Sequence, residues 1–218
     1  MAIMNVNPTR MQLSKLKKQL TTAVRGHKML KDKRDELMRQ FLDLVKEARQ
    51  LRDKVENELA SCNAHFVNAS AVMSKQALDA SLMSPKQQVT LEVGSHNIMS
   101  VETPVFTSST RTSDEGDIFP YGFAFTSFEL DDAVMSLQRL LPDLIKLAQL
   151  EKNCEMMSAE IEKTRRRVNS LEHVMIPRYR DTIKYISMKL EENDRSSRTR
   201  LMKVKDMLLD KAHNYSAQ

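Results

Sequence analysis

Apolar side chains recur at alternating steps of three and four residues along the first third of the chain. The series runs through Leu13, Leu16, Leu20, Ala23, His27, Leu30, Arg34, Leu37, Phe41, Leu44, Ala48, Leu51 and Val55, and continues after one extra residue with Leu59, Cys62 and Phe66. This spacing keeps the side chains on one stripe of a helix, while charged residues fill the other positions. The pattern therefore predicts a long helix that needs a partner helix.

A second stripe of the same kind lies in the last third of the chain. It runs through Leu150, Cys154, Met157, Ile161, Thr164, Val168, Leu171, Met175, Arg178, Thr182 and Tyr185, and resumes at Leu201, Val204 and Leu208. Two such seams in one chain predict a mainly α fold, a long antiparallel two-helix coiled-coil hairpin with a small β-hairpin segment at its turn end. A parallel homodimer is the alternative. The predicted domains are residues 1–80, 81–127 and 128–218.

The hairpin also implies a register between the two arms. If the first arm ends near Gln76 to Asp79 and useful pairing of the second begins near Leu137, facing residues have numbers that sum to about 215. Three pairs test this register: Leu13 with Leu201 or Met202, Arg34 with Asp181, and Cys62 with Cys154.

The middle segment has a different pattern. Pro85 ends the helix, and Val89, Leu91 and Val93 alternate with polar residues. We predict a β-hairpin that turns at 94–97 and returns from Ile98 to a stop at Pro104. Residues 107–117 are rich in Ser, Thr and acid and are expected to be mobile.

Aromatic residues follow this segment, among them Phe123, Phe125 and Phe128. A two-stranded sheet cannot bury itself, so these rings either cap the turn end of the coiled coil or form a docking face for a partner.

The second arm is predicted to start near Glu129. Pro177 interrupts its periodic pattern and removes a helical hydrogen bond, so we expect a bend at 173–177. Arg165, Arg166, Arg167, Arg178 and Arg180 cluster around it. They form either a solvated face with acidic neighbours or a positive collar that faces acidic loops.

The first arm has polar residues, His27 and Arg34, at two seam positions. They either fix the register of the two helices or mark a terminal part of the hairpin that other proteins support.

Composition supports an extended helical protein. The chain has 34 basic and 29 acidic residues, a net charge of +5, four glycines, no tryptophan and only 5% aromatic residues. The basic arms could meet nucleic acid, anionic lipid or an acidic protein, although an ordinary solvated coiled-coil exterior is the commoner explanation. Two distant cysteines predict a reducing, cytoplasmic setting without disulfides, and we expect neither a signal peptide nor a membrane span.

Recognisable catalytic patterns do not occur in the sequence. It contains no phosphate-binding loop, no nucleophile paired with a base, and no ligand spacing among its five histidines. We therefore expect a non-catalytic protein with no cofactor and no metal.

Four segments carry a family resemblance: Asn7-Pro8-Thr9-Arg10, TTAVRGHKMLKDKRDEL at Thr21 to Leu37, EKTRRRVNSLEHVMIPRYRDTIKYI at Glu162 to Ile186, and KLEENDR at Lys189 to Arg195. They resemble the D subunit of the vacuolar-type rotary ATPases, in the bacterial and archaeal style. This resemblance implies a central rotor axle at the cytoplasmic face of the membrane, inserted into an alternating hexamer of A and B subunits. It also implies a small F subunit on the lower coil, a socket subunit at the membrane ring, and transport of protons or sodium.

The resemblance and the periodicity together assign roles to three sets of residues. Contacts to the A/B ring are expected from Arg10, Arg25, Lys33, Arg165, Arg166, Arg167, Arg178 and Arg180. Contacts to a lower partner are expected from Val89, Leu91, Val93, Phe123, Phe125 and Phe128. The coiled-coil seam is formed by Leu13, Leu16, Leu20, Leu30, Leu37, Phe41, Leu44, Leu51, Cys154, Ile161, Val168, Leu171 and Met175. The rival interpretations are a coiled-coil nucleic-acid-binding arm and a structural spacer, but the aromatic residues lie at the acidic end, away from the basic arms.

Overall fold

The computed structural model describes residues 4–112, 114–122 and 126–216 and confirms a mainly α fold with a small β-hairpin. In chain order the elements are α1 (Arg10–Val72), α2 (Lys75–Leu82), β1 (Val89–Ile98), β2 (Val101–Thr110), a 3-10 turn (Glu115–Asp117), α3 (Phe128–Ser170), a π-helical turn (Leu171–Met175) and α4 (Ile176–Ser216). Residues up to Arg34 and from Lys163 onward form one compact unit, here unit 1, and Asp35–Glu162 form unit 2. The three-domain division stays a prediction.

The start of α1 is fixed by a side-chain cap. The Thr9 hydroxyl oxygen accepts a hydrogen bond from the backbone N–H of Gln12 at 3.2 Å, which satisfies one of the free donors of the first turn. The preceding residues lie back along α4, since the Met4 N–H donates to the hydroxyl of buried Thr182 at 3.2 Å. The lead-in is therefore attached to the helix that pairs with α1.

The predicted seam of α1 is found on the inner side of the helix, with one difference. Leu16 and Leu37 are buried, and Leu13, Leu20, Leu30, Phe41, Leu44 and Leu51 are half-buried. Beyond Val55 the prediction of an extra residue is wrong, because Leu59 and Phe66 are 37% and 38% exposed whereas Cys62 and Ala69 are buried. The three-four alternation simply continues through Glu58, Cys62, His65 and Ala69.

The second seam is shifted by one residue where the helix changes type. Ile161 and Val168 are buried and Cys154, Leu171 and Met175 half-buried. After the π-helical turn Ile176 and Ile186 are buried, one residue beyond the predicted Met175 and Tyr185, whereas Thr182 is buried at its predicted position. The N–H of Ile176 donates to the carbonyl of Leu171, so the turn accommodates one extra residue. It lies within one turn of the bend expected from Pro177.

The predicted register is wrong. It places Arg10 opposite about residue 205 and Arg52 opposite about residue 163. In unit 1 Arg10 instead pairs with Asp194 at 3.0 Å, and in unit 2 Arg52 pairs with Glu151. The offset is about three helical turns in each unit.

The three test pairs fail with the register. Cys154 lines a groove beside Ala48, which precedes Cys62 by 14 residues, or about 21 Å of helix, and both thiols are free. Leu201 and Met202 are 69% and 67% exposed, so neither is packed against Leu13.

Arg34 is also far from its predicted mate. In unit 1 His27 lies beside Glu172. Because the two helices are antiparallel, Arg34 and Asp181, which both follow these residues in sequence, lie in opposite directions along the helix axis from this point. Asp181 therefore lies about 24 Å of helix from Arg34.

The β-hairpin turns later than predicted. Residues 94–97 belong to β1, and the turn consists of Met99 and Ser100, which have φ angles of 50° and 71°. Two left-handed residues are typical of a type I′ turn, whose twist matches that of the strands. The Asn97 side chain accepts a hydrogen bond from the Ser100 N–H at 2.9 Å and stabilises the turn.

Pro104 does not stop the return strand. It pairs with Ser95 in the middle of the ladder. Ile98 and Val101 close the two-residue turn as a hydrogen-bonded pair, and because such pairs alternate, the Ser95 and Pro104 pair is not hydrogen-bonded. The proline nitrogen therefore faces the open edge and costs no ladder bond. The expectation of a mobile segment from residue 107 is likewise wrong at 107–110, which belong to β2.

Two small cores hold unit 2 together. At the tip of the β-hairpin, buried Val101 packs with Leu37 of α1 and with Met157 and Ile161 of α3. A second cluster joins Ala69, Leu78 and Leu130 at the ends of α1, α2 and α3. Met73 and Tyr121 pack against this second cluster, so one aromatic residue covers the turn end of the helices.

Candidate interaction surfaces

The predicted A/B-ring contacts all belong to unit 1. Arg165, Arg166 and Arg167 are exposed and lie between buried Thr164 and Val168 on α3. Because successive residues are about 100° apart around a helix, the three guanidinium groups cover about 200° of the outer side. The sequence cluster is therefore a fan of positive charge around the helix.

The other basic candidates differ in their surroundings. Arg25 and Arg180 are exposed and Lys33 is half-buried. Arg10 is held by its ion pair with Asp194. Arg178 is half-buried, and its Nε is shielded from solvent and makes no hydrogen bond within the described part of the chain. We refer to these five and the three consecutive arginines together as the basic surface.

A histidine and a carboxylate connect the helices of unit 1 beside this surface. His27 Nε2 lies 3.2 Å from Glu172 Oε2, and Glu172 belongs to the π-helical turn. The hydrogen bond between His27 and Glu172 lowers the pKa of Glu172; burial opposes this shift, and the charges of His173, His27 and Lys31 add to it. The polar seam position His27 is therefore paired across the helices, as the register-fixing interpretation requires.

An apolar stripe on the last part of α4 was missed by sequence reasoning, which expected it to be paired. Its members are 49 to 69% exposed: Leu201, Met202, Val204, Met207, Leu208 and Leu209. Residues 191–200, which contain no apolar side chain, were the signal that pairing ends there. We call these six residues, from Leu201 to Leu209, the α4 stripe. Three further methionines of unit 1, Met11, Met29 and Met188, are more than 60% exposed.

The predicted lower-partner residues of β1 form one exposed row. Val89, Leu91 and Val93 are 38%, 46% and 66% exposed, and because they alternate along the strand they share one face. A cleft of about 270 Å³ lies at the base of β1, lined by Leu82, Pro85, Val89, Ile118, Pro120 and Leu137. The exposed row and the cleft both contain Val89, so they form one continuous apolar surface.

The aromatic segment is divided between packing and exposure. Tyr121 donates a hydrogen bond to Asp131 at 2.9 Å, and burial followed by this bond raises the pKa of its phenol. Phe119 contacts Tyr121 with ring centroids 5.9 Å apart. Phe128, in contrast, is 74% exposed, and Phe123 and Phe125 lie outside the described residues.

Ion pairs link α1 and α3 within unit 2. Lys54 Nζ lies 2.6 Å from Asp143, Arg52 pairs with Glu151, and Lys146 lies 3.8 Å from Glu47. Each pair opposes sliding of the two helices past each other, although an exposed ion pair contributes no more than about 1 kcal/mol to the free energy of folding.

One group of side chains in the described part of the chain has the composition of a metal site: His65, Glu129 and Asp132. No helix among the described residues is long and apolar enough to cross a membrane.

Comparison with known proteins gives consistent matches along almost the whole chain. The profile of the family of ATP synthase D subunits matches residues 12–206. The V-type ATP synthase D subunit of Acetivibrio thermocellus is 60% identical over 215 residues, which cover 99% of this chain and 97% of that protein. The V-type ATP synthase D subunits of Clostridioides difficile and Clostridium botulinum (strain Alaska E43) are each 56% identical, over 97% and 95% of this chain and 95% and 98% of their own length.

Proposed function

Since the chain belongs to the family of ATP synthase D subunits and is part of a V-type ATPase, we propose that it is the central rotor axle of that complex. In this role it carries torque between ATP hydrolysis or synthesis in the ring of A and B subunits and ion translocation through the membrane ring. It is non-catalytic, and it works at the cytoplasmic face of the membrane.

The observation that carries this proposal is the end of α4. Arg10, at the start of α1, is level with Asp194, yet α4 continues to Ser216, 22 residues farther. This part of α4 bears the α4 stripe. A single helix with an exposed apolar stripe is a surface that a surrounding partner would bury. We propose that the A/B ring surrounds it.

The basic surface, which also belongs to unit 1, supports the same placement of this unit inside the A/B ring. Charged groups on an exposed face contribute more to steering and orientation than to raw affinity. A fan of arginines around α3 would meet acidic loops of the ring at any rotational position. Arg178 is suited to a closer contact, because the shielded Nε is a donor without an acceptor in the described residues.

Torque can pass along paired helices only if they do not slide past each other. Within unit 1 the seam is fixed by Arg10 with Asp194 and by His27 with Glu172. Because Arg10, Asp194 and Glu172 are more than half exposed, the buried seam supplies most of the resistance and the pairs select the register.

The lower partners belong to the other unit. We propose that the apolar row on β1 and exposed Phe128 contact the small F subunit or the socket subunit. The row is on an edge strand with an open face, which would otherwise be a liability for aggregation.

Reconstitution tests the axle role. The A/B ring and membrane ring are assembled with the full chain, with a chain lacking residues 201–218, or with Arg165, Arg166 and Arg167 changed to Glu. The truncation should leave ATP hydrolysis measurable but reduce ion pumping per ATP, and the reversal should weaken assembly most at low salt. Arg39→Glu, on the exposed side of unit 2, is the matched control and should assemble normally.

Two results would overturn this proposal. One is normal coupling in a complex that lacks the chain. The other is ATP hydrolysis by the purified chain alone.

The lower contact is tested separately by co-purification with the F subunit and with the socket subunit. Leu91→Glu with Val93→Glu should reduce capture of one of them at least tenfold, because two charges would then be buried in the contact. Thr90→Glu on the opposite face of β1 is the control. Equal capture by the double variant and by the control would exclude β1 from the contact.

A further inference from the structure

His65, Glu129 and Asp132 form a mixed group of one nitrogen and two carboxylate donors within unit 2. His65 lies near the end of α1, and the two acids lie three residues apart in the first turns of α3, on one face of that helix. One ligand atom of each residue lies within 4.8 Å of the other two. Ligand spacing along a single segment of the sequence does not reveal a group that two helices assemble.

From this geometry we propose that the three side chains bind a divalent transition metal of the zinc class. His65 Nδ1 lies 3.5 Å from Glu129 Oε2. That separation is longer than a well-formed N–H···O hydrogen bond, which spans about 2.7 to 3.2 Å. It is close to the edge of a tetrahedron around zinc, because two ligands at about 2.1 Å from the metal lie about 3.4 Å apart.

The histidine nitrogen gives an independent reason. Nδ1 is shielded from solvent and makes no hydrogen bond within the described residues, although the ring as a whole is 43% exposed. A shielded imidazole nitrogen without a partner is unfavourable unless something occupies its lone pair or takes its proton. A metal ion between Nδ1 and the two carboxylates would do so.

The donor set also selects the kind of ion. Calcium and magnesium prefer sites built from oxygen alone, whereas an imidazole nitrogen combined with carboxylates suits zinc, cobalt and nickel. Three protein ligands leave a fourth position for water, and the partial exposure of all three side chains gives water access. The bound ion would tie the end of α1 to the start of α3, next to the Ala69, Leu78 and Leu130 cluster.

The test uses the full chain, stripped with a chelator and titrated with zinc and with cobalt. We expect one ion per chain with micromolar affinity or better, a visible cobalt spectrum typical of four or five ligands, and no sulfur-to-cobalt charge-transfer band, since neither cysteine belongs to the site. Saturating zinc should raise the thermal midpoint by a few degrees, because the ion binds only the folded chain.

Variants assign the binding to this group. His65→Gln and Asp132→Asn should each weaken zinc affinity at least tenfold and abolish the thermal shift. His96→Gln, at an exposed histidine of β1, is the matched control and should change neither. Circular dichroism of each variant separates loss of the metal from loss of the fold.

The proposal is overturned by any of three results. These are affinity weaker than millimolar in the folded chain, equal affinity in His65→Gln and His96→Gln, or a cobalt spectrum dominated by thiolate. In the first case the group is an ordinary ion pair between a histidine and the acidic start of a helix.

Discussion

The fully buried side chain of Leu37 gives the sharpest test of how unit 2 is held together. It is completely enclosed and packs with Val101 at the tip of the β-hairpin and with Met157 and Ile161 of α3. Truncation to alanine leaves a cavity at the point where three elements meet. We therefore expect Leu37→Ala to destabilise unit 2 and to loosen the β-hairpin.

The size of the effect follows from the atoms removed. Leucine to alanine deletes three carbons, which costs about 2.4 kcal/mol at about 0.8 kcal/mol each. If about 50 Å³ of the cavity remains unfilled, a further 1.2 kcal/mol or so is lost. The sum, about 3.5 kcal/mol, corresponds to a fall of roughly 7 to 14 °C in the thermal midpoint of a domain of this size.

Thermal and urea unfolding followed by circular dichroism measure this loss, and hydrogen exchange at β2 amides reports on the β-hairpin. Leu42→Ala is the matched control, since Leu42 lies on the same helix but is 50% exposed, and it should cost less than about 1 kcal/mol. Equal effects of the two substitutions, or unchanged exchange at β2, would refute the argument that the Leu37 cluster holds the hairpin tip.

Three further predictions concern single groups. Because the pKa of Glu172 is lowered in the folded chain, its pairing with His27 stabilises unit 1 at pH values above the ordinary carboxyl pKa, and this stabilisation is lost as the pH falls through the folded-state pKa. Between pH 3 and 6 the thermal midpoint of Glu172→Gln should therefore fall less steeply with falling pH than that of the unchanged chain. Mild oxidation should leave Cys62 and Cys154 unlinked in a non-reducing gel, and Cys154 should react slowly with a thiol reagent at neutral pH because burial raises its pKa; an intramolecular disulfide would restore the register in which the two cysteines face each other. Ser100→Gly should raise stability by about 0.5 to 1 kcal/mol, read as a higher urea midpoint with unchanged slope, because it relieves a positive φ angle.

Periodicity predicted the elements of this chain well because each long helix must bury one stripe. The start of α1 and the start of α3 at Phe128 follow from that requirement and from local signals such as the Thr9 cap, whereas α1 ends at Val72, before the predicted end, and the short helix α2 was not predicted. The β-hairpin was also visible in the alternation of Val89, Leu91 and Val93. Its turn was misplaced because Gly94 suggested a turn, whereas Met99 and Ser100 adopt the left-handed conformation that usually favours glycine or asparagine.

Register was not predictable in the same way, because heptad seams repeat. Sliding one helix by two heptads still places apolar residues against apolar residues, so the pattern alone leaves several registers close in energy. The choice depends on specific pairs such as Arg52 with Glu151 and on the length of the connection that α2 and the β-hairpin form. The candidate metal group was hidden for the same reason, since it exists only in the correct register.

The π-helical turn shows how one residue changes what a helix presents. Pro177 has no N–H to donate to the carbonyl of His173, and its ring would crowd that carbonyl in a regular helix. The wider turn at Leu171–Met175 accommodates this, and the extra residue moves part of the buried stripe that follows by one position, about 100° around the helix. Ile176 and Ile186 are therefore buried and Tyr185 is 38% exposed, whereas Thr182 stays buried at its predicted position. Because Glu172 lies inside the same turn and meets His27 there, the turn that shifts the buried positions of α4 also carries one of the cross-helix contacts of unit 1.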